Sequence, residues 1–98
     1  MDMEKQKDGK KLDVKLTGRL DSKTAPELKE TLDNELNGIE ELTFDLSDLI
    51  YISSAGLRVI LSAQKTMNKQ GFMKVTNVQD IVMEVFESTG FVDILTIE

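Results

Sequence analysis

Apolar and polar residues alternate in two stretches of the chain, with the period of β-strands that are buried on one side only. The first stretch covers residues 12–16, and Gly18 and Asp21 are expected to end that strand. The second covers residues 42–46, and Asp45 and Asp48 are expected to end it and to shape the following turn. Both strands should therefore face a core on one side and solvent on the other.

Three further stretches carry apolar residues at helical spacing. Thr24 to Glu27 predicts a capping box at the start of the first helix, and Asn37-Gly38 predicts its end. The second helix follows two serines and should end near Gly71, and the third should cover residues 80–88. The positions expected to face the core are Ala25, Leu28, Leu32 and Leu36 in the first helix, Leu57, Ile60, Leu61 and Met67 in the second, and Ile81, Val82, Val85 and Phe86 in the third.

The remaining segments carry weaker patterns. Residues 1–7 are polar and predict either an edge strand or a disordered tail, and Asp8-Gly9-Lys10 predicts a turn. Residues 72–78 predict another strand, and residues 91–97 a last short one.

Strands that alternate with helices favour β-α-β crossovers and a sheet that is mostly parallel. We therefore predict an α/β fold with four to five strands and a single domain over residues 1–98. Because residues 12–16 alternate so regularly, all helices should pack on one face of the sheet. The class becomes α+β if the first two strands form an antiparallel hairpin.

Composition narrows the range of functions. The 98 residues carry 18 acidic and 12 basic side chains, for a formal net charge of −6, which disfavours nucleic acid and anionic membranes as partners. The chain contains neither cysteine nor histidine, so disulfides, thiolate metal sites and Ser-His-Asp catalysis are excluded. We expect no cofactor and no metal. With no apolar run long enough to span a membrane and no signal-peptide core, the expected location is the cytoplasm.

Ser53 and Ser54 precede the second helix, where unpaired backbone N–H groups and the helix dipole favour an anion. One of them is expected to serve as the N-cap, which is worth about 1 kcal/mol, and in the plainest interpretation neither does more. Gly56, however, should destabilise the helix by about 1 kcal/mol relative to alanine. A glycine at this position is therefore expected to serve a purpose, such as allowing another backbone to approach closely. Ala55 would leave a serine hydroxyl uncovered, and an exposed, rigidly held serine suits a kinase.

The segment Gly18 to Ser22 links the first confident strand to its helix. Loops that leave the carboxyl ends of adjacent parallel strands lie together, so Asp21 and Ser22 should lie beside Ser53 and Ser54. Alternatively, Asp21 and Ser22 only satisfy backbone groups in the turn.

The segment from Asp45 to Arg58 resembles the phosphorylation segment of the anti-sigma factor antagonists, which are single STAS domains. The loop at Gly18 and the Gly90-Phe91 turn resemble the family as well. The resemblance implies that Ser54 accepts phosphate, with Ser53 as the second choice, because Ser53 stands where many members have Asp. It also implies a partner-binding surface made of Asp21, Ser22, Ser53, Ala55, Gly56, Leu57 and Arg58.

The resemblance further implies a binding switch rather than an enzyme. The unphosphorylated protein would bind an anti-sigma factor serine kinase and free a sigma factor, phosphorylation would abolish that binding, and a metal-dependent serine phosphatase would restore it. Two alternatives remain open at this point: a STAS switch that controls a non-transcriptional target, and a small-ligand-binding STAS domain.

Overall fold

Four strands form one mixed sheet in the computed structural model, which describes residues 1–98. The strands are β1 (Asp2–Asp8), β2 (Lys11–Leu20), β3 (Glu41–Ile52) and β4 (Phe72–Thr76), in the order β1-β2-β3-β4. β1 and β2 form an antiparallel hairpin, whereas β2 with β3 and β3 with β4 are parallel pairs. The antiparallel hairpin that favoured an α+β class does form, but only at the edge of the sheet, and the other two strand pairs are parallel. The predicted α/β fold with a mostly parallel sheet is therefore confirmed, with four strands.

Three α-helices cover one face of this sheet. They are α1 (Ala25–Glu35), α2 (Ser54–Gln70) and α3 (Asp80–Thr89), and α1 and α2 connect the successive parallel strands. None of the three combines the length and the apolar character that crossing a membrane requires. Over residues 12–16 of β2 and 42–46 of β3 every second side chain is buried beneath the helices, and the side chains between them lie on the open face. Phe44, in the middle of β3, is fully buried, and such burial stabilises the fold by roughly 1.5–3 kcal/mol per large apolar side chain.

β3 is longer than the sequence pattern predicts, because Asp45 and Asp48 lie inside it and do not end it. The pairing of β2 with β3 shifts between Lys15 and Thr17, so that β3 bulges at this point. Asp45 Oδ1 accepts a hydrogen bond of 3.0 Å from the backbone N–H of Ser47, and Asp48 forms an ion pair of 3.2 Å with Lys15. The two carboxylates thus support the bulge, and the strand continues to the serines.

One chain terminus matches an expected alternative and the other does not. Residues 2–8 form an edge strand rather than a disordered tail. The predicted last strand over residues 91–97 is wrong: a 3₁₀ turn covers Phe91–Asp93, and a single bridge joins Ile97 to Val75. Gly90 ends α3 in the left-handed conformation, and Phe91 stacks on Phe86 with ring centroids 6.4 Å apart, so the chain turns tightly here.

Ile81 was expected in the core but is 56% exposed. Val82 and Phe86, one turn apart on α3, are the residues that are fully buried against the sheet. The helix therefore packs on a narrower apolar face than its composition suggests.

Candidate functional site

The loops that follow β2 and β3 lie side by side at one edge of the sheet. Leu20 and Ile52 are paired residues at the ends of these strands, and the backbone N–H of Ser53 donates a 2.9 Å hydrogen bond to the carbonyl oxygen of Leu20. The segment that contains Asp21 and Ser22 therefore does lie beside the two serines, as the topology argument predicted.

The two serines have different roles at the start of α2. Ser53 is the N-cap, with extended backbone angles, and its hydroxyl oxygen accepts a 3.3 Å hydrogen bond from the backbone N–H of Gly56. Ser54 is the first helical residue; it is exposed, and its hydroxyl makes no hydrogen bond within the chain. The local N–H groups and the dipole of a 17-residue helix favour an anion at this position. Ser54 is thus the serine whose hydroxyl is available to another molecule.

Gly56 is required by packing within the chain. A Cβ atom at this position would lie 2.7 Å from Leu20 Cγ and 3.0 Å from both Leu20 O and Ile52 Cγ1. The glycine therefore permits a close approach between α2 and the end of β2. Gly56 and Leu57 are both buried, so they expose little surface to a partner, and their packing sets the position of the serines.

Asp21 satisfies the backbone of its own turn. Its Oδ1 accepts hydrogen bonds from the backbone N–H groups of Lys23 at 3.0 Å and Thr24 at 3.2 Å. These bonds, the one from Lys23 foremost, lower the pKa of the Asp21 carboxyl below its usual value. The Thr24 hydroxyl donates to the carbonyl oxygen of Arg19 at 2.9 Å and does not cap α1, so the predicted capping box is wrong. The Asp21 carboxylate thus orders the turn that precedes α1, and the predicted role of Asp21 in satisfying turn backbone is confirmed.

Arg19 lies against Tyr51 at the same edge. The guanidinium carbon is 4.1 Å from the centroid of the tyrosine ring, and Arg19 Nε is 3.8 Å from Asp21 Oδ2. Tyr51 is 38% exposed and Ile50 is 53% exposed, and they form an apolar surface at the end of β3 that the sequence analysis missed. A signal was present: residues 49–52 are consecutively apolar in a strand with only one buried face, so some of them had to be exposed.

A groove of about 360 Å³ lies between the first turns of α1 and α2. From the α1 side it is lined by Ser22, Ala25, Pro26 and Lys29, and from the α2 side by Ala55, Arg58, Val59 and Ser62. Three of the predicted partner-binding residues (Ser22, Ala55 and Arg58) thus meet in one surface feature. Lys29 and Val59 were missed, because no local pattern says which two helices lie next to each other.

Comparison with known proteins supports one family. The model of the STAS domain matches residues 2–98. An anti-sigma-B factor antagonist of Listeria monocytogenes is 33% identical over 98 residues, covering 96% of this chain and 84% of the relative. The anti-sigma-B factor antagonist of Bacillus subtilis is 32% identical over 87 residues, covering 88% of this chain and 80% of the relative.

Solved structures show the same fold. The anti-sigma factor antagonist SpoIIAA in its unphosphorylated form superposes with a TM-score of 0.87 at 14% identity, covering 99% of this chain and 88% of that chain. The phosphorylated form of Bacillus SpoIIAA superposes with a TM-score of 0.78 at 13% identity, covering 99% of this chain and 91% of that one.

Proposed function

This chain belongs to the STAS family of anti-sigma factor antagonists, and we propose that it acts as a phosphorylation-gated partner switch with Ser54 as the phosphate acceptor. In its unphosphorylated form it binds an anti-sigma factor that is a serine kinase, and the bound kinase releases its sigma factor. Since ATP and sigma factors are found in the cytoplasm, the protein acts there. It contributes a binding surface and a substrate hydroxyl, not a catalytic group.

The reaction at the surface is phosphoryl transfer from ATP. The Ser54 Oγ forms a bond to the γ-phosphorus while the bond from that phosphorus to the ADP oxygen breaks, and a base on the kinase takes the hydroxyl proton. A metal-dependent serine phosphatase later hydrolyses the phosphoserine and returns the hydroxyl. Both partner enzymes need to reach only one exposed side chain.

The observation that carries this proposal is the division of roles between the two serines. Ser53 uses its oxygen to cap α2, so its phosphorylation would remove a stabilising hydrogen bond, whereas the hydroxyl of Ser54 is exposed and unbonded. A phosphate on Ser54 would lie at the positive end of α2 and would leave the fold intact.

Phosphorylation adds a charge of about −1.5 to −2 to a surface that a partner must cover. Desolvation of that charge and repulsion from acidic groups of the complex oppose binding. A penalty of roughly 2–4 kcal/mol would weaken affinity by about 30- to 1,000-fold, enough to release the kinase.

The direct test is to incubate the protein with its cognate kinase and ATP and to locate the phosphate by mass spectrometry of proteolytic peptides. We expect phosphate on Ser54, no incorporation into Ser54→Ala, and continued incorporation into Ser53→Ala. Phosphate on Ser53 alone would move the site by one residue, and phosphate on neither serine would refute the switch.

A further inference from the structure

The charge of the groove between α1 and α2 is opposite to that of the whole protein. The chain carries 18 acidic and 12 basic residues, yet the groove is lined by two basic side chains, Lys29 and Arg58, and by no acidic one. The two cations project from different helices, one from each wall. Between them the walls are made of small or apolar side chains, including Pro26 and Val59.

Two other concave surfaces, both larger than the groove, have no such preference. One, of about 520 Å³ on the open face of the sheet, is lined by carboxylates and lysines together, among them Glu4, Asp13 and Lys15. The other, of about 480 Å³, is lined by Lys7 and Lys11 together with Asp8 and Asp13. In each of these two surfaces the lining carboxylates and lysines largely compensate each other. The groove between the helices is therefore the surface that selects its occupant by charge.

The cations of the groove are available for binding. Arg58 is exposed and forms no ion pair within the chain. Lys29 pairs with Asp33 at 3.0 Å, but both side chains are more than half exposed, and such pairs are weak and exchange readily. An arginine in this position can bind a carboxylate through two parallel hydrogen bonds.

We propose that this groove binds an acidic segment of the partner kinase, with an apolar side chain between Pro26 and Val59 and carboxylates on Arg58 and Lys29. The inference rests on the proposed function, because it names the chemistry of the partner at the same site. It also explains how phosphorylation acts. Arg58 follows Ser54 by four residues on α2 and so lies on the same helical face, where a phosphate on Ser54 competes with the partner for the guanidinium.

The first experiment measures the affinity of full-length variants for the cognate kinase with ATP analogue bound, by calorimetry at low and high salt. Arg58→Gln should bind about tenfold more weakly, and Lys29→Gln about threefold more weakly, with a shallower salt dependence in each. Lys65→Gln is the matched control, since Lys65 is exposed on α2 but does not line the groove, and it should bind as the unmodified protein does.

The second experiment uses a zero-length carbodiimide, which joins a lysine amine to a carboxylate only when the two touch. We expect a cross-link from Lys29 to an Asp or Glu of the kinase, absent in Lys29→Arg although that variant still binds. Unchanged affinity of both groove variants, or cross-links confined to lysines outside the groove, overturns the inference and leaves the switch standing. Failure of the unmodified protein to bind the kinase at all overturns the proposed function, and this inference with it.

Discussion

The backbone N–H of Gly56 donates a 3.3 Å hydrogen bond to the hydroxyl oxygen of Ser53. This single contact assigns the cap of α2 to Ser53 and leaves the neighbouring hydroxyl of Ser54 free on the surface. It also depends on the absence of a side chain at Gly56, which lets the first turn of α2 lie against Leu20. The capping of α2, its packing on β2 and the exposure of the Ser54 hydroxyl are thus parts of one local arrangement.

Substitution of each serine in turn should show that Ser53 contributes to the stability of the fold and that Ser54 does not. Ser53→Ala removes the N-cap and should lower the free energy of unfolding by about 1 kcal/mol while leaving Ser54 as acceptor. Ser54→Ala should change the free energy of unfolding by less than about 0.5 kcal/mol, because the side chain is exposed. Urea titrations of both variants measure the difference, and equal destabilisation by the two would contradict the assignment of the cap.

Gly56→Ala should destabilise the protein although alanine is the better helix former. The new Cβ would lie 2.7 Å from Leu20 Cγ and 3.0 Å from the Leu20 carbonyl oxygen, and backbone cannot yield as a flexible side chain does. We expect a loss of about 1–3 kcal/mol in the free energy of unfolding. Ser62→Ala, at an exposed position of the same helix, is the control and should be neutral or slightly stabilising. A Gly56→Ala variant as stable as the parent would refute the packing argument.

Ser54→Asp should fold normally and lose its affinity for the kinase. A carboxylate in the first turn of α2 interacts favourably with the helix dipole and with Arg58 one turn later, by about 0.3–1 kcal/mol. We expect a thermal midpoint equal to or slightly above that of the parent, and a smaller gain when Arg58→Gln is present. Calorimetric unfolding tests the expected stability, and a kinase-binding measurement tests the expected loss of affinity. An unfolded Ser54→Asp protein would mean that the serine is structural.

The bulge in β3 should make stability sensitive to acid. The backbone N–H of Ser47, followed by the Ser47 and Asn77 side chains, lowers the pKa of the Asp45 carboxyl below its usual value. A carboxyl with a depressed folded-state pKa stabilises the native state above its unfolded pKa of about 4, and that contribution is lost as pH falls through the folded-state pKa.

Asp45→Asn should therefore be less stable than the parent at pH 7, with a difference that shrinks toward pH 3. Urea unfolding at both pH values measures this, and Asp13→Asn, an exposed change on the same sheet face, serves as the control. A difference that is independent of pH would show that the carboxylate charge has no role in the bulge.

Gln64 is a buried polar residue of α2 whose substitution should stabilise the fold. The residue is 6% exposed, its Nε2 donates to Asn68 Oδ1 at 2.9 Å, and its Oε1 has no hydrogen-bond partner. Gln64→Leu removes the unsatisfied oxygen at similar volume and should raise the free energy of unfolding by about 1 kcal/mol. Asn68→Ala tests the remaining bond separately. A less stable Gln64→Leu variant would indicate that the amide is needed.

The periodic elements were predictable because their signals are local. Alternation over residues 12–16 and 42–46 and the leucine stripe of α1 match the buried positions that the structure shows. The strand that failed, over residues 91–97, has a short apolar pattern without clear alternation, and the close stacking of Phe91 on Phe86 outweighs it. The end of β3 was predicted too early because Asp45 and Asp48 are polar residues inside the strand. Partners distant in sequence stabilise them there: Lys15 pairs with Asp48, and Asn77 donates to Asp45.

The sequence located the candidate site, but only the structure showed which role each of its residues has. The motif around Ser53 and Ser54 could not say which hydroxyl caps the helix, and it gave no sign that Gly56 and Leu57 are buried. The burial of those two residues, and the meeting of Lys29 with Arg58 in one groove, follow from how α1 and α2 pack.

By itself, then, the sequence determined the α/β class, the single buried face of the sheet and the place of the two serines at the start of α2, since each depends on neighbours a few residues away along the chain. Only the tertiary structure decided that Ser54 is the free hydroxyl, that Gly56 serves internal packing, and that two cations line the groove beside it. These features depend on contacts between residues far apart in the chain, and such contacts exist only once the helices have docked on the sheet.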